Sequence, residues 1–355
     1  MNTTKNIDHS FSGYSKKKAF ARELKATAPW RWAVQGLFPA FEYLWKNVAH
    51  GPERRLYEQS KYFTAKQVPL NRTALKLVEN DPQFVIFAKW LKEQIPAELI
   101  EKKRQEMLAT PAEVDDGAFA ACLTKHLSDE AKFGILKFAL SDSVLARILP
   151  YFEIVPHLQS VAVMLNVAKP GQPVVGSQQW HRDGDIYKAM NIFMCLTDVD
   201  EESGEYHAIG KDLLPYYQAI PIEAIDHGRS IWHNGRHTDA YMEKFVPRNR
   251  WTRLAGKPGT AALVDPALCY HKGGHCRSRD RLMINIRFVA DMSWEFDSII
   301  NDLGLLGHPG VASLLDNDVK KHMVTGCKGR WYHKRRKDHP SFLIARRILT
   351  FNKKL

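Results

Sequence analysis

His181 and Asp183 form a His-x-Asp pair in the segment SQQWHRDGDIYK, which precedes an apolar stretch. Side chains two positions apart on an extended strand point to the same side, so both could face one metal ion. A third ligand must come from a distant strand, and His271 qualifies because it follows an apolar strand pattern and precedes Gly273-Gly274, where missing Cβ atoms allow close approach. Two histidines and one carboxylate are the ligands of non-haem Fe(II) sites that keep positions open for a co-substrate and O2. The sequence therefore predicts an iron site at His181, Asp183 and His271.

A 2-oxo acid co-substrate would also need a cation for its distal carboxylate. Arg281 opens the next predicted strand, and a guanidinium can bind a carboxylate through two parallel hydrogen bonds. Arg279 and Arg277 precede it in the same loop and are alternative residues for binding this carboxylate. Arg281 could instead have a structural role, in a surface ion pair with Asp280. Asn191, on the strand after the His-x-Asp pair, is a further candidate for binding the co-substrate; a polar residue at a strand edge explains it equally well.

The elements around these residues change character near Pro156. Upstream, from about Leu70 to Leu149, the pattern favours helices, one of them beginning at the N-cap candidate Ser128. Downstream, short apolar or alternating stretches are separated by turn signals such as DEESGE, which favours a β-sandwich or barrel. The predicted strands lie within Leu158–Gly171, Ala189–Val199, Ala261–Val264 and Arg281–Ala290.

The composition of the 355-residue chain is that of a globular protein, with 45% hydrophobic and 25% charged residues. Five cysteines without a C-x-x-C pair argue against a disulfide framework and favour a reducing compartment, the cytoplasm. No secretory signal is visible, and the apolar stretch from Ala28 to Trp45 is too interrupted to span a bilayer. Packing of this stretch against the core is the favoured interpretation, and a helix at a membrane surface is the alternative.

A formal charge of +12 suggests an anionic partner, and the surplus is concentrated in Lys16–Lys25 and Cys327–Lys337. Trp331 and Tyr332 could stack on bases, but no nucleic-acid-binding motif accompanies them, so nucleic acid is the less favoured partner. An anionic small molecule or a membrane surface is preferred, since the C-terminal stretch is basic and amphipathic. The oligomeric state cannot be inferred from the sequence.

Four segments carry the order of strand, His-x-Asp, acidic turn, second histidine and arginine, and together they resemble the phytanoyl-CoA dioxygenase family of Fe(II)/2-oxoglutarate oxygenases. They are QQWHRDGD, FMCLTDVDEESGEYHAIG, GKPGTAALVDPALCYHKGG and RDRLMINIRF, within a resemblance that covers about Leu158 to Ala290. The resemblance implies a mainly β fold with helical elaboration, whose core is a double-stranded β-helix, the cupin-like jelly roll. It matches His181, Asp183 and His271 to the iron ligands, and Arg281 to the arginine that binds 2-oxoglutarate.

The resemblance implies an enzyme that uses Fe(II), 2-oxoglutarate and O2 to hydroxylate or otherwise oxidise a small organic substrate, with release of succinate and CO2. Gly273 departs from the family, because many relatives place a small hydroxyl residue there, so other co-substrate contacts must come from elsewhere. We predict a basic N-terminal extension (1–60), an oxygenase domain (61–300) and a basic C-terminal extension (301–355). The domain would comprise a helical part (61–157), a jelly-roll core (158–300) and a lid insertion (214–256), with Trp232, His233 and Arg236 as candidates for substrate specificity.

Two other classes of protein are compatible with parts of the sequence. The segment CYHKGGHC holds four possible zinc ligands, Cys269, His271, His275 and Cys276, which would suit a zinc-stabilised interaction domain. This cluster is entirely local, whereas zinc sites usually join two close pairs from distant segments. A jelly-roll module that binds anionic lipid or nucleic acid through its basic ends, without catalysis, is the other alternative.

Overall fold

The structure is a computed structural model, and it describes residues 50–63, 74–110, 120–183, 188–210, 236–266, 268–290 and 296–326. The basic segments near both ends of the chain, the apolar stretch Ala28–Trp45, and Trp232 and His233 lie outside the described residues.

The strands of the described residues form two antiparallel sheets. They are β1 Leu75–Val78, β2 Ala120–Cys122, β3 His157–Asn166, β4 Ala189–Cys195, β5 Tyr206–Ile209, β6 Thr252–Leu254, β7 Ala261–Val264, β8 Tyr270–Lys272 and β9 Arg281–Val289. The larger sheet has the order β1-β7-β4-β9-β3-β2, and the smaller one has the order β6-β5-β8. A bridge between His181 and His271 adds the His181 segment to the free edge of β8.

From β3 onward, the described strands alternate between the two sheets, except that β5 and β6 both belong to the smaller one. The strands β3, β4, β7 and β9 belong to the larger sheet, whereas the His181 segment, β5, β6 and β8 lie in the smaller one. Two facing antiparallel sheets connected in this way form a double-stranded β-helix, so the predicted jelly-roll core is confirmed.

Helices flank this core. They are α1 Gly51–Glu58, α2 Pro82–Glu93, α3 Ala97–Ala109, α4 Asp129–Ala139, α5 Asp142–Phe152, α6 Asp239–Met242, α7 Ile299–Asp302, α8 Pro309–Leu314 and α9 Asp318–Val324. Ser128 caps α4 as predicted, since its Oγ accepts a hydrogen bond from the Ala131 amide at 3.2 Å. None of the helices in the described residues combines the length and apolarity needed to cross a membrane.

The main hydrophobic core lies between the helices and one face of the larger sheet. Alternate residues of β9, from Leu282 to Phe288, point into it together with the buried faces of α2, α4 and α5. Parts of the predicted extensions join this core as well: Tyr57 of α1, and Leu303 and Met323 near the other end, are buried in it.

The predicted strands match β3, β4, β7 and β9, and the turn Asp200–Glu205 lies where it was expected. The short strands β1 and β2 were missed inside the region predicted to be helical, and β5 and β8 were not predicted either. Residues 252–254, assigned from the sequence to the lid insertion, form β6 of the smaller sheet. Four cysteines lie in the described residues, and all four are free thiols: Cys122, Cys195, Cys269 and Cys276.

Candidate metal centre

The backbone brings the three predicted ligands together at one end of the two sheets. His181 and His271 exchange backbone hydrogen bonds of 2.9 Å in both directions, and the Asp183 amide donates to the Pro266 carbonyl at 2.8 Å. One ligand atom from each of His181, Asp183 and His271 lies within 4.8 Å of the other two. Among the described residues this is the one group of three or more potential metal ligands.

The hydrogen bonds of the two imidazoles fix which nitrogen faces the centre. Nδ1 of His181 lies 2.7 Å from the Gln179 carbonyl, and Nδ1 of His271 lies 3.2 Å from the Cys269 carbonyl. A carbonyl only accepts, so each Nδ1 carries the proton and each Nε2 keeps a lone pair. Metal-binding histidines commonly have this outer partner, which sets the tautomer and the ring orientation.

Both Nε2 lone pairs face the same carboxylate oxygen. Oδ1 of Asp183 lies 3.8 Å from Nε2 of His181 and 3.7 Å from Nε2 of His271, too far for hydrogen bonds. Three acceptors therefore converge without a proton between them, an arrangement that a cation would stabilise.

The ionisation of the three groups agrees with this geometry. Burial, together with the neighbouring His271, lowers the pKa of His181 to about 3, and burial lowers the pKa of His271 as well. Burial alone would raise the pKa of Asp183, but His271 and the Arg287 guanidinium outweigh it and lower that pKa. At neutral pH the site is two neutral imidazoles and one carboxylate, the forms that bind metal.

Arg287, which the sequence analysis did not single out, contacts the other oxygen of Asp183. Its Nη1 donates to Oδ2 of Asp183 and to Oδ1 of Asn191, each at 3.1 Å, and its Nε donates to Oε1 of Gln159 at 2.8 Å. The buried Asn191, predicted as a co-substrate contact, is thus a partner of Arg287 here. The sequence held a signal for Arg287, since an even number of positions separates it from Arg281 on a predicted strand.

Arg281 lies on the same face of β9 as Arg287, at the opposite end of the strand. It is 3% exposed, and its Nε donates to Oδ1 of Asn166 at 3.3 Å. Its buried Nη1 has no hydrogen-bond partner among the described residues. No carboxylate of the described residues forms an ion pair with Arg281. The neighbouring Asp280 accepts a hydrogen bond from Nε of Arg104 at 2.9 Å instead. A surface ion pair with Asp280 is therefore excluded.

The two rival arginines are on the surface. Arg279 pairs with Asp200 and Arg277 pairs with Glu201, and their side chains are 50% and 57% exposed. Of the three candidates, Arg281 alone is buried between the sheets.

Two further buried polar atoms have no hydrogen-bond partner within the part of the chain that the structure describes, the Tyr206 hydroxyl and Oδ1 of Asn285. The Tyr206 ring lies 5.8 Å from the His271 ring and 4.6 Å from the Phe193 ring, measured between centroids. Gly273 has space on its interior side, since an added Cβ would meet only the Ser177 carbonyl oxygen, at 3.5 Å. Tyr206 thus lies beside one of the three candidate metal ligands.

The local zinc cluster predicted as an alternative is not formed. The Cys276 thiol donates to the Ser203 carbonyl at 3.0 Å, and the Cys269 thiol donates to the Ala74 carbonyl at 3.3 Å. His275 instead lies 3.3 Å from the Gln178 amide nitrogen. Three of the four side chains therefore have other partners, and of the four, His271 is the one grouped with His181 and Asp183.

Part of the predicted insertion lies beside the site. Arg236 is close enough for its charge to contribute to lowering the pKa of both His181 and His271. His237, in the same insertion, is buried, and its backbone pairs with Trp180 on the strand segment that carries His181.

No protein-family model matches the sequence, and no curated protein matches it either. Several solved structures resemble it remotely. EctD from S. alaskensis, solved with 2-oxoglutarate and 5-hydroxyectoine, has 14% identity and a TM-score of 0.41, covering 68% of this chain and 80% of its own. HygX from Streptomyces hygroscopicus, solved with nickel and 2-oxoglutarate, has 16% identity and a TM-score of 0.35, covering 64% of this chain and 87% of its own. The epimerase SnoN from nogalamycin biosynthesis, described as non-haem and α-ketoglutarate-dependent, has 13% identity and a TM-score of 0.37, covering 70% and 85%.

Proposed function

We propose that this protein is an Fe(II)- and 2-oxoglutarate-dependent oxygenase that acts on a small organic substrate. The observation that carries the proposal is the convergence of two imidazole lone pairs and one carboxylate oxygen, all within 4.8 Å, inside a jelly roll. Three protein ligands on one side of a metal leave further coordination positions for molecules from outside the chain.

The donor set fits Fe(II). Two imidazole nitrogens and one carboxylate oxygen are the ligands of non-haem Fe(II) oxygenases, whereas four-ligand structural zinc sites are closed by cysteine or histidine. The outer hydrogen bonds of both imidazoles to backbone carbonyls hold Nε2 of His181 and of His271 toward the same point.

The buried Arg281 supports 2-oxoglutarate as the co-substrate. A guanidinium without a carboxylate partner is costly in a protein interior, and a bound dicarboxylate would relieve that cost. The interior space beside Gly273, with the Tyr206 hydroxyl nearby, provides room and a further hydrogen-bonding group for the same ligand. Asn191 is the weaker candidate, since its side-chain oxygen already accepts from Arg287.

Fe(II) and 2-oxoglutarate together supply oxidative decarboxylation, which yields succinate and CO2 and is coupled to oxidation of the substrate by O2. The chain's own contribution is to orient the ligands, to anchor the distal carboxylate through Arg281 and to exclude water. The rings of Phe193 and Tyr206 contact each other between the sheets, with their centroids 4.6 Å apart, and make this space apolar apart from its polar anchors.

Substrate choice would belong to the insertion 214–256, with Trp232, His233 and Arg236 as candidate contacts. The position of Arg236 near the metal ligands and the net charge of +12 support a substrate that carries an anionic group. Cytoplasmic location and contact with a membrane surface remain predictions from the sequence.

The test is succinate release from 2-oxoglutarate under air with added Fe(II). Wild-type protein is expected to form succinate slowly even without its substrate, whereas His181→Ala and Asp183→Ala should reduce it to the level of Fe(II) alone. His126→Ala is the matched control, because His126 is exposed at the end of a short 3₁₀ helix, Thr124–His126, and is not one of the three candidate ligands. Equal succinate formation by wild type and both site variants would refute the proposal. So would failure of the wild type to bind either Fe(II) or 2-oxoglutarate at equilibrium.

A further inference from the structure

The two oxygens of the Asp183 carboxylate have different surroundings. Oδ1 faces the two imidazole Nε2 atoms, at 3.7 Å from His271 and 3.8 Å from His181. Oδ2 accepts a hydrogen bond of 3.1 Å from Nη1 of Arg287. A charge-assisted hydrogen bond of this kind is stronger than a neutral one and favours one orientation of the carboxylate.

Arg287 is itself held on both sides by neutral side chains. Its Nε donates to Oε1 of Gln159 on β3, and its Nη1 donates also to Oδ1 of Asn191 on β4. The strands β3 and β4 flank β9 in the larger sheet, so one guanidinium connects three adjacent strands to the carboxylate. Its fixed planar fork can serve these acceptors together, which a lysine ammonium on a flexible stem cannot do in the same geometry.

A local irregularity of β3 places Gln159 in this network. The pairing of β3 with β9 shifts register between Leu158 and Ser160, so that Gln159 is the extra residue of a β-bulge. Bulges redirect a side chain out of the regular alternation and are frequent beside active sites. Gln159 and Ser160 both lie opposite the Arg287 end of β9, and only the bulged residue contacts the guanidinium.

We propose that Arg287 is a positioning residue that restricts Asp183 to metal binding through one oxygen. A carboxylate can bind a metal through one or both oxygens, and the second mode would use a coordination position needed by a ligand from outside the chain. By occupying Oδ2, Arg287 leaves Oδ1 as the metal-binding atom. Gln159 and Asn191 hold the guanidinium in place. This inference rests on the proposed metal site.

The test is binding of Co(II) to the full chain, because cobalt reports coordination through its visible spectrum and requires no turnover. Arg287→Met should weaken Co(II) binding about 10- to 100-fold, as loss of an outer-shell partner commonly does, and should change the spectrum as Asp183 becomes free to bind through both oxygens. Arg287→Lys keeps the positive charge but not the planar guanidinium. Its Co(II) affinity is expected to lie between those of the wild type and Arg287→Met. Arg147→Met is the matched control, since it removes a half-buried arginine that pairs with Asp81 in the helical part.

A second variant separates positioning from a general effect on folding. Gln159→Leu leaves the ion pair of Arg287 with Asp183 but removes one support, and a smaller loss of about three- to tenfold with the same spectral change is expected. Should Arg287→Met fail to fold, Arg287→Lys and Gln159→Leu provide the same test. Wild-type affinity and spectrum in Arg287→Lys would overturn the proposal, because charge alone would then suffice. Failure of the wild type to bind Co(II) would instead refute the metal site itself.

Discussion

The two faces of strand β9 have opposite compositions. On the helical side, Leu282, Ile284, Ile286 and Phe288 pack into the main hydrophobic core. On the interior side, alternation places Arg281, Met283, Asn285 and Arg287 toward the smaller sheet. The first face gains free energy from apolar burial, whereas the second buries polar groups, two of which have an atom without a partner.

This difference indicates which face stabilises the fold and which face serves the site. Apolar residues on the helical side keep the larger sheet in place, so the interior side can carry an arginine at each end at some cost in stability. Buried polar groups without partners are rare, and they concentrate where a ligand completes them. The predictions below test whether the two faces can be changed independently.

The largest effect on stability is expected from the helical face. Ile286→Ala should lower the free energy of unfolding by about 2–5 kcal/mol, because it leaves a cavity in a fully buried part of the core. Affinity for Co(II) should stay within about twofold of wild type once the protein is folded. Denaturant unfolding and metal titration of the same sample measure both. Asn285→Ala, the neighbouring position on the other face, should change stability by less than about 1 kcal/mol.

Arg281→Met should act in the opposite direction. In the absence of ligand the variant is expected to be more stable by about 1–2 kcal/mol, because it removes a buried cation with an unpartnered Nη1. It should also lose the rise in Tm that 2-oxoglutarate gives the wild type, while it still binds metal. The exposed Arg279→Met is the control and should keep both properties. Lower stability of Arg281→Met with an intact response to 2-oxoglutarate would contradict this account of the interior face.

A titratable pair lies where α9 packs against β3: the ring centroids of His322 and His157 are 4.6 Å apart. Burial lowers the pKa of His322 to about 4, and it also lowers the pKa of His157. The unfolded chain, with a histidine pKa near 6.5, then binds more protons, so stability is lost as the pH falls from about 6.5 to about 4.

Between pH 7 and 5, His322→Gln should lose about 1 kcal/mol less stability than the wild type, allowing for partial exposure of the ring. Denaturant unfolding at both pH values measures this, and the exposed His126→Gln serves as the control. An identical pH dependence in wild type and His322→Gln would show that α9 is not held by a neutral pair.

The smallest effect is expected at Tyr206. Tyr206→Phe removes only the buried hydroxyl without a partner, so the ligand-free protein should gain up to about 1 kcal/mol. Affinity for 2-oxoglutarate should fall severalfold if that hydroxyl contacts the co-substrate. Thermal unfolding with and without 2-oxoglutarate checks both expectations. A lower Tm of ligand-free Tyr206→Phe would contradict the first, because it would mean that the hydroxyl makes a stabilising hydrogen bond in the wild type.

The sequence predicted the larger sheet better than the smaller one, for a physical reason. Strands β3, β4, β7 and β9 bury one whole face in the helical core, so their apolar or alternating patterns are visible. Strands β5, β6 and β8 are three or four residues long, and polar residues such as His207, Arg253 and Lys272 lie on their other face. Little hydrophobic periodicity remains in strands of this length.

In the candidate site, too, local patterns were predictable from the sequence, whereas contacts between distant segments were not. His181 and Asp183 share a local motif, but the backbone pairing of His181 with His271 depends on the whole fold and not on nearby residues. Arg281 was found because it opens a strand, whereas Arg287 was missed although it lies in phase with it. Gln159 could not be predicted, since its contact depends on a bulge that leaves no mark in the residue pattern.

The most direct test of the central claim is the stoichiometry and affinity of Fe(II) binding under anaerobic conditions, for the wild type, His181→Ala and His271→Ala. If the two imidazoles and Asp183 form the metal centre, the wild type will bind one Fe(II) per chain, and each variant will lose this binding while remaining folded. No bound iron in the wild type, or the same binding in both variants, would contradict the assignment of His181, Asp183 and His271 as metal ligands.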